Sequence, residues 1–200
     1  LNSSPKIPFF YFINVVENHA FYNPPKAVRR FSRHNDKQPF FTVFFNGEEY
    51  AAMQSKLLPT CKNLYDDEMV FLDSLVSRFW EQLRTLGGLD NTVLIVASDH
   101  GEHFGEKGFY EHRLSLLNQL IWVPLLIRFP QGMRPVGTEN RLVSLTDLFS
   151  TFLDLMDSPF PRPRHSQSLL SAEKRRSVSS MILDNMPFKV KMATILNKSQ

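Results

Sequence analysis

Apolar positions along this chain fall into two periods. Residues 9 to 16, Phe-Phe-Tyr-Phe-Ile-Asn-Val-Val, and residues 93 to 97, Val-Leu-Ile-Val-Ala, are short, nearly continuous runs rich in aromatic and branched side chains. Such runs predict strands buried on both faces. A third run, Trp122 to Arg128, has the same character. Between them Leu64, Met69, Leu72, Leu75, Val76, Phe79 and Leu83 recur at intervals of three and four, which predicts a helix from about Asn63 to Leu86. Asp66, Asp67 and Glu68 would then sit in its early turns, where the helix dipole favours acids, and Gly87-Gly88 would end it. A second helix is expected over Leu145 to Met156, carrying Leu148, Phe149, Phe152, Leu153 and Leu155. Pro24-Pro25 and the Ser158–Pro163 stretch forbid helix and read as turns. Residues 26 to 50 read mostly as an excursion loop with an edge strand at Phe40 to Phe45, and two further strands are expected near Ser177 to Leu183 and Val190 to Leu196. Helix, tight loop and strand in succession make half of an α/β unit, so the predicted class is α/β.

Composition narrows the function classes. With 200 residues, 42% of them hydrophobic and 18 of them Phe, the chain can bury a core. Its 23 Lys and Arg against 20 Asp and Glu leave a scattered net charge of +3. The densest basic run, Lys174-Arg175-Arg176, is short and lacks aromatic partners for stacking, so no nucleic-acid partner is expected. One cysteine, Cys61, excludes an internal disulfide and a multi-thiolate metal site; lacking an activating context, it is expected to pack as a small apolar residue. No apolar stretch approaches the ~20 residues of a membrane span, and no signal peptide is visible. The chain opens on Leu and not Met, which hints that it begins inside a longer one.

Two of the predicted strands end in ionisable groups: 9 to 16 in Glu17-Asn18-His19, and 93 to 97 in Ser98-Asp99-His100-Gly101. Ligands in open α/β sheets bind beyond the carboxyl ends of strands, so parallel strands would gather His19, Asp99 and His100 at one edge. Asp offers a hard oxygen and His a borderline nitrogen, a pairing suited to a divalent cation. The same residues have simpler readings: Asp99 as a helix cap, His19 as a structural hydrogen-bonding group, and Lys107, His112 and Arg113 as a solvated face. Glu102, His103 and Glu106 do not form the His-Glu-x-x-His zinc motif. Nucleophile elbows, phosphate loops and dinucleotide fingerprints are absent.

Four segments, taken together, resemble the sulfatase family of the alkaline phosphatase superfamily. "DNTVLIVASDHGEHFGEKG" followed by "WVPLLIRFP" is similar to the strand, Ser-Asp-His-Gly-Glu and Val-Pro-Leu-Ile-Ile-Arg elements of its catalytic domain. "FFYFINVVENHAFYNPP" resembles the family's strand ending in Glu-x-His-x-Pro-Tyr-x-Pro-Pro, and "VSLTDLFSTFLDLM" with "SQSLL" its later helix and Gly-x-Ser-Leu turn. The resemblance implies an alkaline-phosphatase-like central sheet flanked by helices and incomplete on its N-terminal side. Residues 1–170 would be a partial catalytic domain and 171–200 the start of a C-terminal region or tail. It implies Asp99 and His100 as ligands of one divalent cation, calcium foremost, with manganese or magnesium as alternatives. It implies His19 as a contact of the transferred group, His112 as a group near the ester's leaving oxygen, and Lys107 as a weaker candidate for the same electrostatic task. The chain departs from the pattern at Leu117-Asn118-Gln119, where the family has Tyr-Asp-Glu. The family's Cys/Ser-x-Pro-x-Arg nucleophile, which matures to formylglycine, and its paired aspartate do not occur here, and are expected in an upstream segment. The expected function is metal-dependent sulfate-ester hydrolysis by a longer enzyme, with these 200 residues inactive alone. The alternatives are a phosphate or phosphonate ester hydrolase, a phosphoethanolamine-type transferase, or a non-catalytic truncated homologue. The family context fits a periplasmic, secreted or membrane-anchored parent without choosing among them.

Overall fold

A computed structural model describes residues 8–37, 47–112, 115–131, 133–134, 137–173, 177–183 and 190–196. Its helices are α1 (Gly47–Thr85), α2 (Asn118–Ile121) and α3 (Asp147–Leu155). Its strands are β1 (Leu94–Ala97), β2 (His103–Phe104), β3 (Tyr110–Glu111), β4 (Leu125–Arg128), β5 (Ser177–Leu183) and β6 (Val190–Leu196). These pair two by two: β1 with β4, β2 with β3, and β5 with β6. The predicted strands at 93–97, 177–183 and 190–196 are present; the third apolar run shortens to β4, its first residues following the single turn of α2. The Phe40–Phe45 edge strand lies outside the described residues. Two compact units divide the chain. One holds residues up to Val96 with Glu102–Arg113 and Leu126–Arg134; the other holds Ala97–Gly101, Leu114–Leu125 and the residues from Pro135 on.

In the first unit α1 begins well before Asn63, and that changes the role of its acids. Asp67 and Glu68 lie in the middle of a 39-residue helix and are buried. They do not serve the helix dipole; they bind the chain that crosses over it. Asp67 accepts the backbone N–H of Arg30 (2.6 Å), Phe31 (3.0 Å) and Ser32 (2.9 Å) and the Ser32 hydroxyl (2.5 Å). Glu68 accepts the Asn23 N–H at 2.7 Å. Arg29 completes the scaffold from within the loop, donating to the carbonyls of Pro24, Arg33, His34 and Asp36. Residues 23–36 are therefore ordered by buried carboxylates and a guanidinium, which satisfy backbone groups that a turn-rich segment cannot pair with itself.

The 9–16 run does not form the expected buried strand. It has no regular structure, and Phe9 to Ile13 are 56% to 81% exposed. Apolar content marks a segment as fit for a sheet interior, but a strand exists only where a neighbour takes up its N–H and C=O groups; no strand among the described residues pairs with this one. β1 is likewise half-buried and not enclosed on both faces. Arg128 at the end of β4 anchors the turn before β1, donating to the Leu89 and Thr92 carbonyls with its guanidinium over the Trp80 ring.

In the second unit α3 and the turn after it are held by short side chains that lie buried on one helix face. Asp147 accepts the N–H of Ser144 (2.8 Å) and of Gln167 (2.9 Å). Thr151 accepts the Leu169 N–H, and the Ser166 hydroxyl reaches Ser150. Arg141 donates to the carbonyls of Leu169 and Ser171. The Ser166–Leu170 turn is thus fastened to α3 by hydrogen bonds, not by apolar packing alone.

Candidate functional site

The crowded segment after β1 is a short hairpin. β2 and β3 pair antiparallel, His103 opposite Glu111 and Phe104 opposite Tyr110, around a 3-10 turn at Glu106–Gly108. Gly105 enters that turn at φ 104°, with the Leu58 side chain 2.9 Å from where a Cβ would sit, so a glycine is required there. Lys107 is exposed at its tip in left-handed conformation, φ 53°. His103 is fully buried against Phe109, and neither of its ring nitrogens is hydrogen-bonded among the described residues. Burial holds its imidazole below the ordinary histidine value despite the Glu106 and Glu102 carboxylates, so it packs as a neutral ring.

The hairpin returns His112 to His19, 93 residues away in sequence, with ring centroids 5.1 Å apart and planes inclined at 60°. His19 is set by a turn, its N–H donating to the Val16 carbonyl at 3.0 Å, and its Nδ1 lies 2.7 Å from the Ala20 carbonyl. His19 thus follows a turn and not the end of a strand. Behind His112 stands Glu102. Its Oε1 is 3.3 Å from His112 Nδ1, and its Oε2 accepts the Tyr22 hydroxyl at 2.8 Å. Tyr22 is buried among Tyr65 and Phe104, with ring centroids at 5.4 and 6.4 Å. Burial first, then the Glu102 charge and hydrogen bond, pushes its phenol far above the ordinary range, so it remains a donor. Neither Glu102 nor Tyr22 was singled out by spacing. The only sequence signal for them was that each sits in a segment carrying a candidate histidine.

Asp99 and His100 belong to the other unit. The His100 N–H donates to Asp99 Oδ1 at 3.0 Å, the Ser98 hydroxyl to the His100 carbonyl at 2.5 Å, and His100 Nδ1 lies 2.9 Å from the Gly101 carbonyl. His100 Nε2 is 3.9 Å from Asp99 Oδ2. Two donors each about 2.3 Å from one ion are at most about 4.6 Å apart, so this pair fits one side of a cation's shell. Among the described residues no group of three or more His, Cys, Asp or Glu side chains is placed to hold a metal ion. Cys61 contributes nothing to it: the thiol is buried, and burial pushes it up to about 11.

Gly101 fixes this turn. Its N–H donates to the Leu120 carbonyl at 2.9 Å, and a Cβ would come 1.9 Å from the Gln119 carbonyl oxygen. Because the obstacle is backbone, Gly101→Ala must displace either α2 or the Asp99-His100 turn, at a cost of about 1–3 kcal/mol or more. We expect a clear fall in the thermal unfolding midpoint; an unchanged midpoint would contradict this close approach.

The Sulfatase family profile matches residues 1–158, so the chain belongs to the sulfatase family. Among its relatives, the extracellular sulfatase SULF-1 homolog of Drosophila melanogaster is 34% identical over 58% of this chain and 10% of its own length. Arylsulfatase K of Bos taurus is 35% identical over 58% of this chain and 20% of its own. The N-acetylglucosamine-6-O-sulfatase of Bacteroides thetaiotaomicron is 30% identical over 49% and 17%. A solved protein in complex with its substrate D-glucosamine-2-N,6-O-disulfate matches 72% of this chain and 32% of its own, at 23% identity and a TM-score of 0.63, which shows a shared fold. The chain thus spans a fifth or less of the length of these sequence relatives. No helix among the described residues is long and apolar enough to cross a membrane.

Proposed function

We propose that this chain is part of a sulfatase-type hydrolase of sulfate esters, in which His19 and His112 serve the ester and Asp99 with His100 serves a divalent cation. The observation that carries this reading is the contact of His19 with His112, two histidines that the family resemblance assigns to the transferred group and to the leaving oxygen. Asp99 and His100 would hold a divalent cation, calcium first among the candidates. Such an ion neutralises charge on the sulfate oxygens and favours the ionised nucleophile. His19 binds the sulfuryl group by donating to its oxygens. When the bond from sulfur to the ester oxygen breaks, the electron pair stays on that oxygen and His112 supplies the proton, while sulfur gains its new bond from an oxygen nucleophile of the formylglycine-hydrate type. Lys107, exposed at the hairpin tip, can add positive potential near the departing charge. Two of the relatives described above concern 6-sulfated glucosamine, so a sulfated amino sugar is the first natural substrate class to try beside an aryl sulfate.

No Cys/Ser-x-Pro-x-Arg pattern occurs in these 200 residues. The chain alone is therefore expected not to turn over an aryl sulfate, and measurable metal-dependent turnover by it would refute the assignment of the missing nucleophile. Joined to a segment that carries this pattern and the aspartate pair, it is expected to release sulfate from aryl and amino-sugar esters in a chelator-sensitive way. Preference for the matching phosphate ester would overturn the sulfate reading, and inactivity of the joined, metal-loaded polypeptide would favour a non-catalytic role.

A further inference from the structure

We infer that Glu102 and Tyr22 are positioning residues for His112, forming a Tyr–Glu–His relay that keeps the imidazole proton on Nδ1; the catalytic use of this relay rests on the reading of His112 given above. Three features carry it. The Glu102 carboxylate bridges the two partners, one oxygen 3.3 Å from His112 Nδ1 and the other 2.8 Å from the Tyr22 hydroxyl. Its side chain is only 7% exposed while that of His112 is 30% exposed, so the relay runs from the interior toward the surface. Tyr22 is itself locked, 4% exposed and packed edge-on against Tyr65, so its hydroxyl has little freedom to turn elsewhere.

The chemistry follows from donor and acceptor inventory. An ionised carboxylate can only accept, and Tyr22 donates to one of its oxygens. The other oxygen then presents a lone pair to Nδ1, which meets it best as N–H. A neutral imidazole with its proton on Nδ1 carries its lone pair on Nε2, and on protonation Nε2 is the nitrogen that can give the proton back. Imidazole in water prefers the opposite tautomer, with the proton on Nε2, so the relay has a distinct signature. His19, tilted at 60° against the same ring, limits rotation of His112 about its own axis without choosing the tautomer.

The experiment is nitrogen NMR of the His112 ring in the full chain, at alkaline pH where imidazoles are neutral. The expected result is an Nδ1–H majority in the wild type. Glu102→Gln exchanges a charge-assisted acceptor for a neutral one and is expected to cut the ratio of Nδ1–H to Nε2–H by about tenfold. Tyr22→Phe keeps the ring packing and removes only the hydroxyl, and is expected to shift the ratio the same way by about threefold. It also serves if Glu102→Gln fails to fold. An Nε2–H majority in the wild type, or a ratio indifferent to both substitutions, overturns the relay. In the joined, active polypeptide, Glu102→Gln is expected to lower kcat about tenfold with KM nearly unchanged. If the tautomer shifts as expected while His112→Gln leaves turnover intact, the relay stands and the assignment of His112 to the leaving oxygen falls instead.

Discussion

Asp67→Ala is expected to destabilise the first unit by about 2–4 kcal/mol and to release residues 23–37 to proteases. The magnitude follows from the number of donors left behind. Four hydrogen bonds converge on this fully buried carboxylate, three from consecutive backbone N–H groups. Bonds to a charged acceptor contribute about 1.5–3 kcal/mol each, but Arg30 and Phe31 are exposed and water can replace part of what is lost. Asp67→Asn keeps the shape, loses the charge and turns one acceptor into a donor facing an N–H, so it should cost nearly as much. The same site sets a pH dependence. Burial alone would raise the Asp67 carboxyl, but the Arg30 N–H, the Ser32 hydroxyl and N–H, and the Phe31 N–H outweigh it and hold the group below its ordinary value. A carboxyl depressed in the folded state contributes stability that is present above the unfolded value of 3.8 and is lost as pH falls through the folded one. Denaturant midpoints should therefore drop below about pH 4 in the wild type and be flatter there in Asp67→Asn. Equal acid sensitivity of the two proteins, or unchanged cleavage of the loop in Asp67→Ala, would show that this anchor contributes little.

How much of this was legible in the sequence depends on whether a feature is local. α3, β5 and β6 were readable because their apolar patterns are complete within a few residues. The Asp99-His100 turn was readable because a strand-type run stops there and a glycine follows. The burial of Asp67 was not: three adjacent acids on a predicted helix look like a solvated first turn until the helix is known to start sixteen residues earlier, at Gly47 and not Asn63. The 9–16 run failed for the opposite reason, since its hydrophobicity was real but a strand is a property of two segments and only one was in view. The role of Glu102 was not legible because it is defined by Tyr22 and His112, 80 residues before it and 10 after it. Carboxylates tend to be read for the charges beside them in sequence, whereas this one acts on groups brought to it by the hairpin and by the loop over α1.

Asp99→Ala is expected to remove metal-dependent turnover from the joined polypeptide, by about 10³-fold, while leaving its folding stability within about 1 kcal/mol of the wild type. The contrast makes the test decisive. The Asp99 side chain is 89% exposed and accepts a hydrogen bond from the N–H of the next residue, so little packing is lost when it is cut back. A surface carboxylate with so small a structural role can be essential only through what it binds. Metal content per protein, read by elemental analysis after dialysis, should fall together with activity, and excess calcium should restore part of both if the site is weakened and not destroyed. Asp99→Asn keeps one oxygen donor without the charge and should fall between the two. The neighbouring pair supplies the contrast on the nitrogen side: His100→Ala should also lose metal, whereas Lys107→Ala, at an exposed hairpin tip, should keep normal metal content and lose at most about tenfold in kcat. Full turnover at normal metal stoichiometry in Asp99→Ala would remove this residue from the metal shell and, with it, the reason for an Asp-His pair at the end of β1.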